Sequence, residues 1–244
     1  MTLGKLARIA ALLLFVLGTA AFLFGGSRHP HIGPHLGPLG SDLFFIHFAE
    51  HVHMRADWQF IHGFILVGPL FWLLGIALVT ARPETSDARP WSQLARVSAT
   101  LCAALWTVTF ICDGFIAPII SGTVVDAGSP TDRHLAITQF AANQTMVIRA
   151  GLVGWCAIGV AVLALSLWMF ARGRRSKADL ALILAGVVLG IWPVVAWATR
   201  FFDPGPFISP LWNPTAILTS LWFLMFGIAH ARAERAEPTA GGAA

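Results

Sequence analysis

Six long apolar stretches recur along the chain, and short polar segments separate them. Each stretch reaches the roughly 20 residues that an α-helix needs to cross the hydrocarbon core of a bilayer. None alternates between apolar and polar positions over about ten residues, as the strands of a membrane β-barrel do. The pattern therefore predicts an all-α polytopic membrane bundle with spans at about 5–26, 60–81, 94–120, 150–171, 180–199 and 211–230.

Polar sequence with a helical pattern precedes spans two and four. Asp42 is placed to cap a helix over 43–81, and Asp132 to cap a helix that continues to residue 171. Both helices are longer than a membrane crossing requires, so we expect helical extensions of these two spans at the outer face. Residues 1–236 are predicted to form one transmembrane domain, with a disordered tail at 237–244.

Composition agrees with a membrane protein, and the placement of charge predicts its orientation. The chain is 57% hydrophobic and 11% charged, with a net charge of +4. Eleven Lys and Arg residues flank or connect the spans on one side, against four on the other. By the positive-inside rule, both termini are cytoplasmic in a bacterial-type inner membrane. The basic residues then act as topology anchors, which argues against a nucleic-acid partner.

The N-terminal stretch and the cysteines add little chemistry. Residues 1–26 have a basic start and an apolar middle, as a signal peptide does, but the apolar part is long and no clean cleavage site follows. We therefore expect a retained first span. Cys102, Cys112 and Cys156 all fall within predicted spans and predict no disulfide framework. The ten Trp residues lie mostly near span ends, which predicts interfacial belts.

Histidines are concentrated in one segment, HFAEHVHMRADWQFIHG, at residues 47–63. It holds four of the nine histidines of the chain, together with Glu50, Met54 and Asp57. Eight of the nine map to the outer loops or the outer ends of spans, and His230 alone lies near the cytoplasmic side. This one-sided distribution is the strongest functional feature of the sequence, although histidines on an outer helix can also simply meet lipid headgroups.

The spacing within this segment predicts a transition-metal site. Residues three and four apart share a helix face, so His47, His51 and Met54 form one stripe, which His62 continues towards the membrane. Imidazoles at this spacing can share an ion, and a nearby thioether favours copper. The loop histidines of HPHIGPH, at 29–35, could close over the ion.

The predicted function is therefore copper binding at the outer membrane face, in redox chemistry or in metal handling. The predicted metal ligands are His47, His51, Met54 and His62. Further ligands, or groups that orient the ligands, are expected among Glu50, Asp57, Asp113 and His134.

Two other site chemistries use the same residues. Haem b is the alternative cofactor, with His62 and His134 as its candidate ligands from span two and the outer cap. HFAEH also matches the H-x-x-E-H pattern of inverted zincins, in which Glu50 would activate a zinc-bound water. If the protein is an enzyme, these patterns favour a metal-dependent membrane oxidoreductase, with Glu50 and Asp113 as candidate catalytic residues.

Asp113 lies about two turns below the outer end of span three, where an ionised carboxylate is costly without a partner. Arg149 of span four is the expected partner. The pair could simply fasten two spans together, or Asp113 could be a metal ligand or a proton acceptor. Without a metal, the alternative is a non-enzymatic subunit or a small-molecule transporter in which the pair lines a polar path. The expected partners are the lipid bilayer and other membrane subunits or further copies of the chain.

Overall fold

A computed structural model describes residues 3–29, 41–81, 85–173, 176–202 and 212–233. These residues form helices joined by short turns, without β-strands. The π-helical segment Cys112–Ile116 joins α4 to α5. The α-helices are α1 (Leu3–Arg28), α2 (Asp42–His53), α3 (Trp58–Val79), α4 (Arg89–Ile111), α5 (Ala117–Val125), α6 (Pro130–Ala171), α7 (Lys177–Phe202) and α8 (Trp212–Ala233).

Six helical stretches of the described chain are long and apolar enough to cross a membrane, which confirms the predicted all-α, multi-pass architecture. The third stretch combines α4, the π segment and α5. The cysteines are free, as predicted. The cytoplasmic position of the termini stays a prediction. The six stretches are Gly4–Arg28, Trp58–Val79, Arg89–Val125, Pro130–Ala171, Lys177–Ala198 and Asn213–Arg232.

The helix expected over 43–81 is instead two helices, α2 and α3, because the chain turns at residues 54–57. The apolar face of α2 packs against α5, α6 and the start of α3, in a cluster separate from the main core. Burial of that face outweighs the continuation of one straight helix. The stripe that would have connected His47 to His62 is therefore interrupted.

Serines, rather than the predicted aspartates, cap α2 and α6. Ser41 Oγ accepts a hydrogen bond from the backbone N–H of Phe44 at 3.1 Å, so Asp42 lies inside the first turn. Ser129 Oγ accepts from the backbone N–H of Asp132 at 3.2 Å and donates to its carboxylate at 2.6 Å. Both predicted caps were wrong, but a carboxylate in the first turn still favours the helix dipole.

α6 continues for 42 residues without a break. At about 1.5 Å per residue it is about 63 Å long, roughly twice the thickness of the hydrocarbon core. The helix is therefore longer than one membrane crossing requires, and its extension at the outer face stays a prediction.

Tryptophan and glycine build the main core. Six of the ten Trp side chains are less than 2% exposed, so interfacial belts do not describe most of them. The rings of Trp72 and Trp106 contact the ring of Phe22, with centroid distances of 5.1 and 5.6 Å. A Cβ on Gly18 would lie 2.9 Å from the carbonyl oxygen of Gly68, so α1 and α3 pack with their backbones close together. This packing brings the end of α1 to the start of α3.

Candidate metal centre

Three metal-capable side chains from different helices converge at one end of the bundle. His29 directly follows α1, His62 lies about one turn into α3, and Asp113 belongs to the π segment. Their ligand atoms all lie within 4.8 Å of one another. Asp113 Oδ2 is 3.0 Å from His62 Nε2 and 3.9 Å from His29 Nε2. In the part of the chain that the structure describes, this group of three is the one with the geometry to hold a metal ion.

Two of the three ligands are buried. The side chain of His62 is fully buried and that of Asp113 is 10% exposed, whereas the side chain of His29 is 30% exposed. Ionisable groups at membrane depth are costly to desolvate and are usually paired, so this cluster needs compensating contacts. The exposed edge at His29 is the side from which an ion could enter.

The π segment positions Asp113 against α3. A π turn inserts an extra residue into an α-helix and is frequent at functional sites. A Cβ on Gly114 would collide with the Cβ of His62 and would lie 3.1 Å from its Cγ. Only a residue without a side chain therefore lets the π segment come close enough for Asp113 to reach His62.

Hydrogen bonds from two neighbouring helices hold Asp113, one at its backbone and one at its carboxylate. The indole N–H of Trp58 donates to the backbone oxygen of Asp113 at 2.6 Å, and Gln144 Nε2 donates to Asp113 Oδ1 at 3.2 Å. The indole also stacks on the ring of His62, with centroids 4.7 Å apart. With Oδ1 bonded to Gln144, Oδ2 is left facing the two imidazoles.

The contacts of His62 require a proton or a metal ion between it and Asp113. His62 Nδ1 lies 2.7 Å from the backbone oxygen of Trp58, and a carbonyl only accepts, so Nδ1 carries the hydrogen. In a neutral imidazole, Nε2 then presents a lone pair to Asp113 Oδ2, which is also an acceptor. Two acceptor atoms 3.0 Å apart need a proton or a metal ion between them.

The separations are close to those of ligands on one ion. Metal–ligand bonds of about 2.1 Å place two ligand atoms about 3.0 Å apart at a right angle and at most about 4.2 Å apart. The contacts of 3.0 and 3.9 Å to Asp113 Oδ2 lie inside these limits. The separations within the group extend up to 4.8 Å, which exceeds the limit of about 4.2 Å, so one ligand would have to make a shift of about half an ångström. His29, at the end of α1 and partly exposed, is the ligand best placed to make it.

The structure brings together His62 and Asp113, both of which the sequence singled out. His29, one of the loop histidines expected to close over the site, is the third member. His31 and His35 of the same loop lie outside the described residues.

The other predicted metal ligands lie outside this group. His47 and His51 are on α2, and Trp58 contacts the ring of His51 as well as that of His62, with centroids 6.2 and 4.7 Å apart. Met54, just after α2, is 76% exposed. An indole therefore fills the space between α2 and the histidine of α3.

The remaining candidates make surface contacts. The Glu50 carboxylate lies 3.8 Å from the guanidinium of Arg133, and both side chains are more than 40% exposed. His134 is exposed near the start of α6. Hydrogen bonds from Arg55, at 2.9 and 2.8 Å, hold the pKa of Asp57 below its usual value. Asp57 is therefore committed to a local ion pair in the turn between α2 and α3.

Gln144 is the contact that the sequence analysis missed. Arg149 was expected to partner Asp113, but the structure pairs Asp113 with His62 and Gln144. The available signal was the pair of adjacent amides, Asn143 and Gln144, shortly before the apolar part of span four, because amides that become buried require partners. Asn143 Nδ2 indeed donates to the backbone oxygen of Cys112 at 3.1 Å.

Comparison with protein-family models, curated proteins and solved structures finds no match for this chain. The functional interpretation therefore depends on the geometry of the site.

Proposed function

We propose that this membrane protein binds one divalent transition-metal ion through His29, His62 and Asp113. The observation that supports this most directly is the convergence of three ligand atoms within 4.8 Å, from helices far apart in sequence. The buried pair of acceptor atoms on His62 and Asp113 also needs a proton or a metal ion between them, and a bound metal ion would meet that need. Trp58 and Gln144 orient the ligands, as partners of metal ligands commonly do.

Copper is the metal that we propose first. Two imidazoles and a carboxylate suit zinc, iron(II) and copper(II), and affinity for such donors peaks at copper in the Irving–Williams order. The thioether of Met54, which would favour copper(I), gives less support, because Met54 is 76% exposed. Copper would make the site either a redox centre or a metal-handling station, at the outer face of a bacterial-type inner membrane. His47, His51 and Met54 remain proposed as a second, more exposed set of ligands on α2.

Haem b and zinc hydrolysis have less support from the packing. His62 is stacked on Trp58 and touched by Gly114, so a porphyrin would have to separate α3 from the π segment. His134, the other proposed haem ligand, is exposed. Glu50 of HFAEH is engaged with Arg133 at the surface rather than with the three-residue group.

Metal analysis of the purified full-length chain tests the proposal. After loading with Cu²⁺ or Zn²⁺ and desalting, the wild type should retain one ion per chain at the three-residue site. His29→Gln should weaken binding at least tenfold while the helical content stays unchanged, because His29 is at the exposed edge. His134→Gln is the matched control, since this exposed histidine lies outside the group, and it should bind as the wild type does.

Two results would contradict the proposal. One is retention of less than about 0.2 ion per chain after desalting, since a site with the expected micromolar or tighter affinity would retain more. The other is equal weakening by His29→Gln and His134→Gln. In either case the His62–Asp113 contact is a hydrogen-bonded fastening between helices, and the alternative of a metal-free subunit or transporter is favoured.

A further inference from the structure

An apolar groove follows the seam between α1 and α3. It has a volume of about 580 Å³, and every residue that lines it is apolar. Leu17 and Phe24 line it from α1, and Phe60, Phe64 and Phe71 line it from α3. In the described chain no other helix covers this face, where Leu17, Phe24 and Phe60 are 50%, 40% and 59% exposed. The volume is within the range of about 300–1,000 Å³ typical of small-molecule sites.

Along α3 the groove has about the length of one leaflet. Its lining residues on α3 run from Phe60 to Phe71, a range of 12 residues. At about 1.5 Å per residue the two ends of this face are about 16 Å apart, close to half of the hydrocarbon core of about 30 Å. On α1 the lining runs from Leu17 to Phe24, and Arg28 follows one turn further along the helix. An acyl chain lying along the groove would therefore reach from the membrane surface to about the bilayer midplane.

A positive charge marks one end of the groove. The guanidinium of Arg28 lies 5.3 Å from the ring centroid of Phe24, where α1 ends. The nearby carboxylate of Asp57 is already bonded by two guanidinium nitrogens of Arg55, and the charge of Arg28 contributes only a small part of the lowering of its pKa. An Arg at this level can meet a phosphate through paired hydrogen bonds.

We propose that this groove binds one anionic phospholipid of the bilayer, with an acyl chain between α1 and α3 and its phosphate at Arg28. The apolar lining, the leaflet-length face of α3 and the cation at one end fit one amphiphile with a negative headgroup. Basic side chains beside membrane helices commonly select such headgroups. This lipid site does not depend on metal binding.

Native mass spectrometry tests the proposal. The full chain is incubated with equal amounts of a phosphatidylglycerol and a phosphatidylcholine and is then released from detergent in the spectrometer. The wild type should retain one phosphatidylglycerol, favoured roughly fivefold over phosphatidylcholine, because the choline cation offsets the phosphate charge that Arg28 would otherwise attract. Arg28→Gln should bring the ratio close to one. Arg172→Gln is the matched control, because Arg172 lies 4.8 Å from the ring centroid of Trp168 at the other end of the bundle, and it should leave the ratio unchanged.

A second variant tests the groove itself. Ala20 lines the groove and is exposed, so Ala20→Phe fills the space without disturbing the core. It should reduce the adducts of both lipids at least fivefold. Two results would contradict the binding of an anionic headgroup at Arg28. One is equal amounts of the two lipid adducts in the wild type, and the other is an equal loss of selectivity in Arg28→Gln and Arg172→Gln. Undiminished adducts in Ala20→Phe, or retention of a fatty acid or detergent in place of phospholipid, would overturn the proposed occupant.

Discussion

Gly114→Ala is the sharpest test of how the π segment builds the site. The added Cβ would collide with the Cβ of His62 and lie 3.1 Å from its Cγ. Ordinary contact requires the two segments to separate by about 1 Å, and overpacking of this kind costs roughly 1–3 kcal/mol. The same separation would stretch the 3.0 Å contact between His62 and Asp113 beyond hydrogen-bond range.

We therefore expect Gly114→Ala to lower both thermal stability and metal affinity. The affinity should fall about 10–100-fold, the range seen when groups that orient metal ligands are removed. Circular dichroism on heating, with and without metal, gives the stability, and competition with a chelator of known affinity gives the dissociation constant. The matched control is Gly63→Ala, next to His62 in sequence, because a Cβ there meets nothing within 4 Å.

The two variants should differ clearly in both stability and metal affinity. Gly63→Ala should be as stable as the wild type or more so, because Ala favours a helix over Gly by up to about 1 kcal/mol. If Gly114→Ala matches Gly63→Ala in both stability and metal affinity, the close approach of the π segment to α3 does not position Asp113.

Three further predictions concern the surroundings of the site. Trp58→Phe keeps an aromatic ring but leaves the backbone oxygen of Asp113 without its 2.6 Å hydrogen bond. Calorimetry should therefore show a loss of about 1–3 kcal/mol in the free energy of unfolding, and an unchanged free energy would exclude an important role for this bond. Ser41→Ala removes the cap of α2 and should cost about 1 kcal/mol in thermal unfolding, whereas a change near zero would mean that α2 does not need this cap. The lowered pKa of Asp57 predicts that its ion pair with Arg55 stabilises the fold above the usual aspartate pKa of about 3.9 and does so less as the pH falls below it. The melting temperatures of wild type and Asp57→Asn should therefore converge in acid, and a constant difference would contradict the assignment.

The number and type of the helices could be predicted from the sequence because apolar length is a local property. The turn at 54–57 could not, because its sequence, MRAD, contains neither Gly nor Pro. That turn follows from the packing of α2 on α5 and α6, which depends on contacts with distant parts of the chain. The expected caps differed because Ser41 and Ser129 precede the aspartates and each accepts the backbone N–H of the residue three positions later, so both helices begin earlier and the aspartates fall in the first turn.

The same turn explains why only part of the site was predicted. His62 and Asp113 stood out because imidazole and carboxylate groups are costly inside a span. The combination of His62 with His47, His51 and Met54 assumed one unbroken helix face, and the turn ends that face. His29 was expected only as one of three loop histidines that could close over the ion, and the contact of α1 with α3, which no periodicity along the chain reveals, is what brings it to His62 and Asp113.

A purely structural role does not account well for the buried His62–Asp113 contact. α1 and α3 already approach closely through Gly18 and Gly68, and Trp106 packs over Gly154 of α6. Buried ionic pairs often contribute no more stability than apolar residues of similar volume. The indole of Trp58 already joins α3 to the π segment through its hydrogen bond to the backbone oxygen of Asp113, so a second, ionisable contact between the same two segments adds little to their assembly. Burial of His62 and Asp113 with His29 beside them is the arrangement expected if the site holds a positively charged ligand, as proposed above.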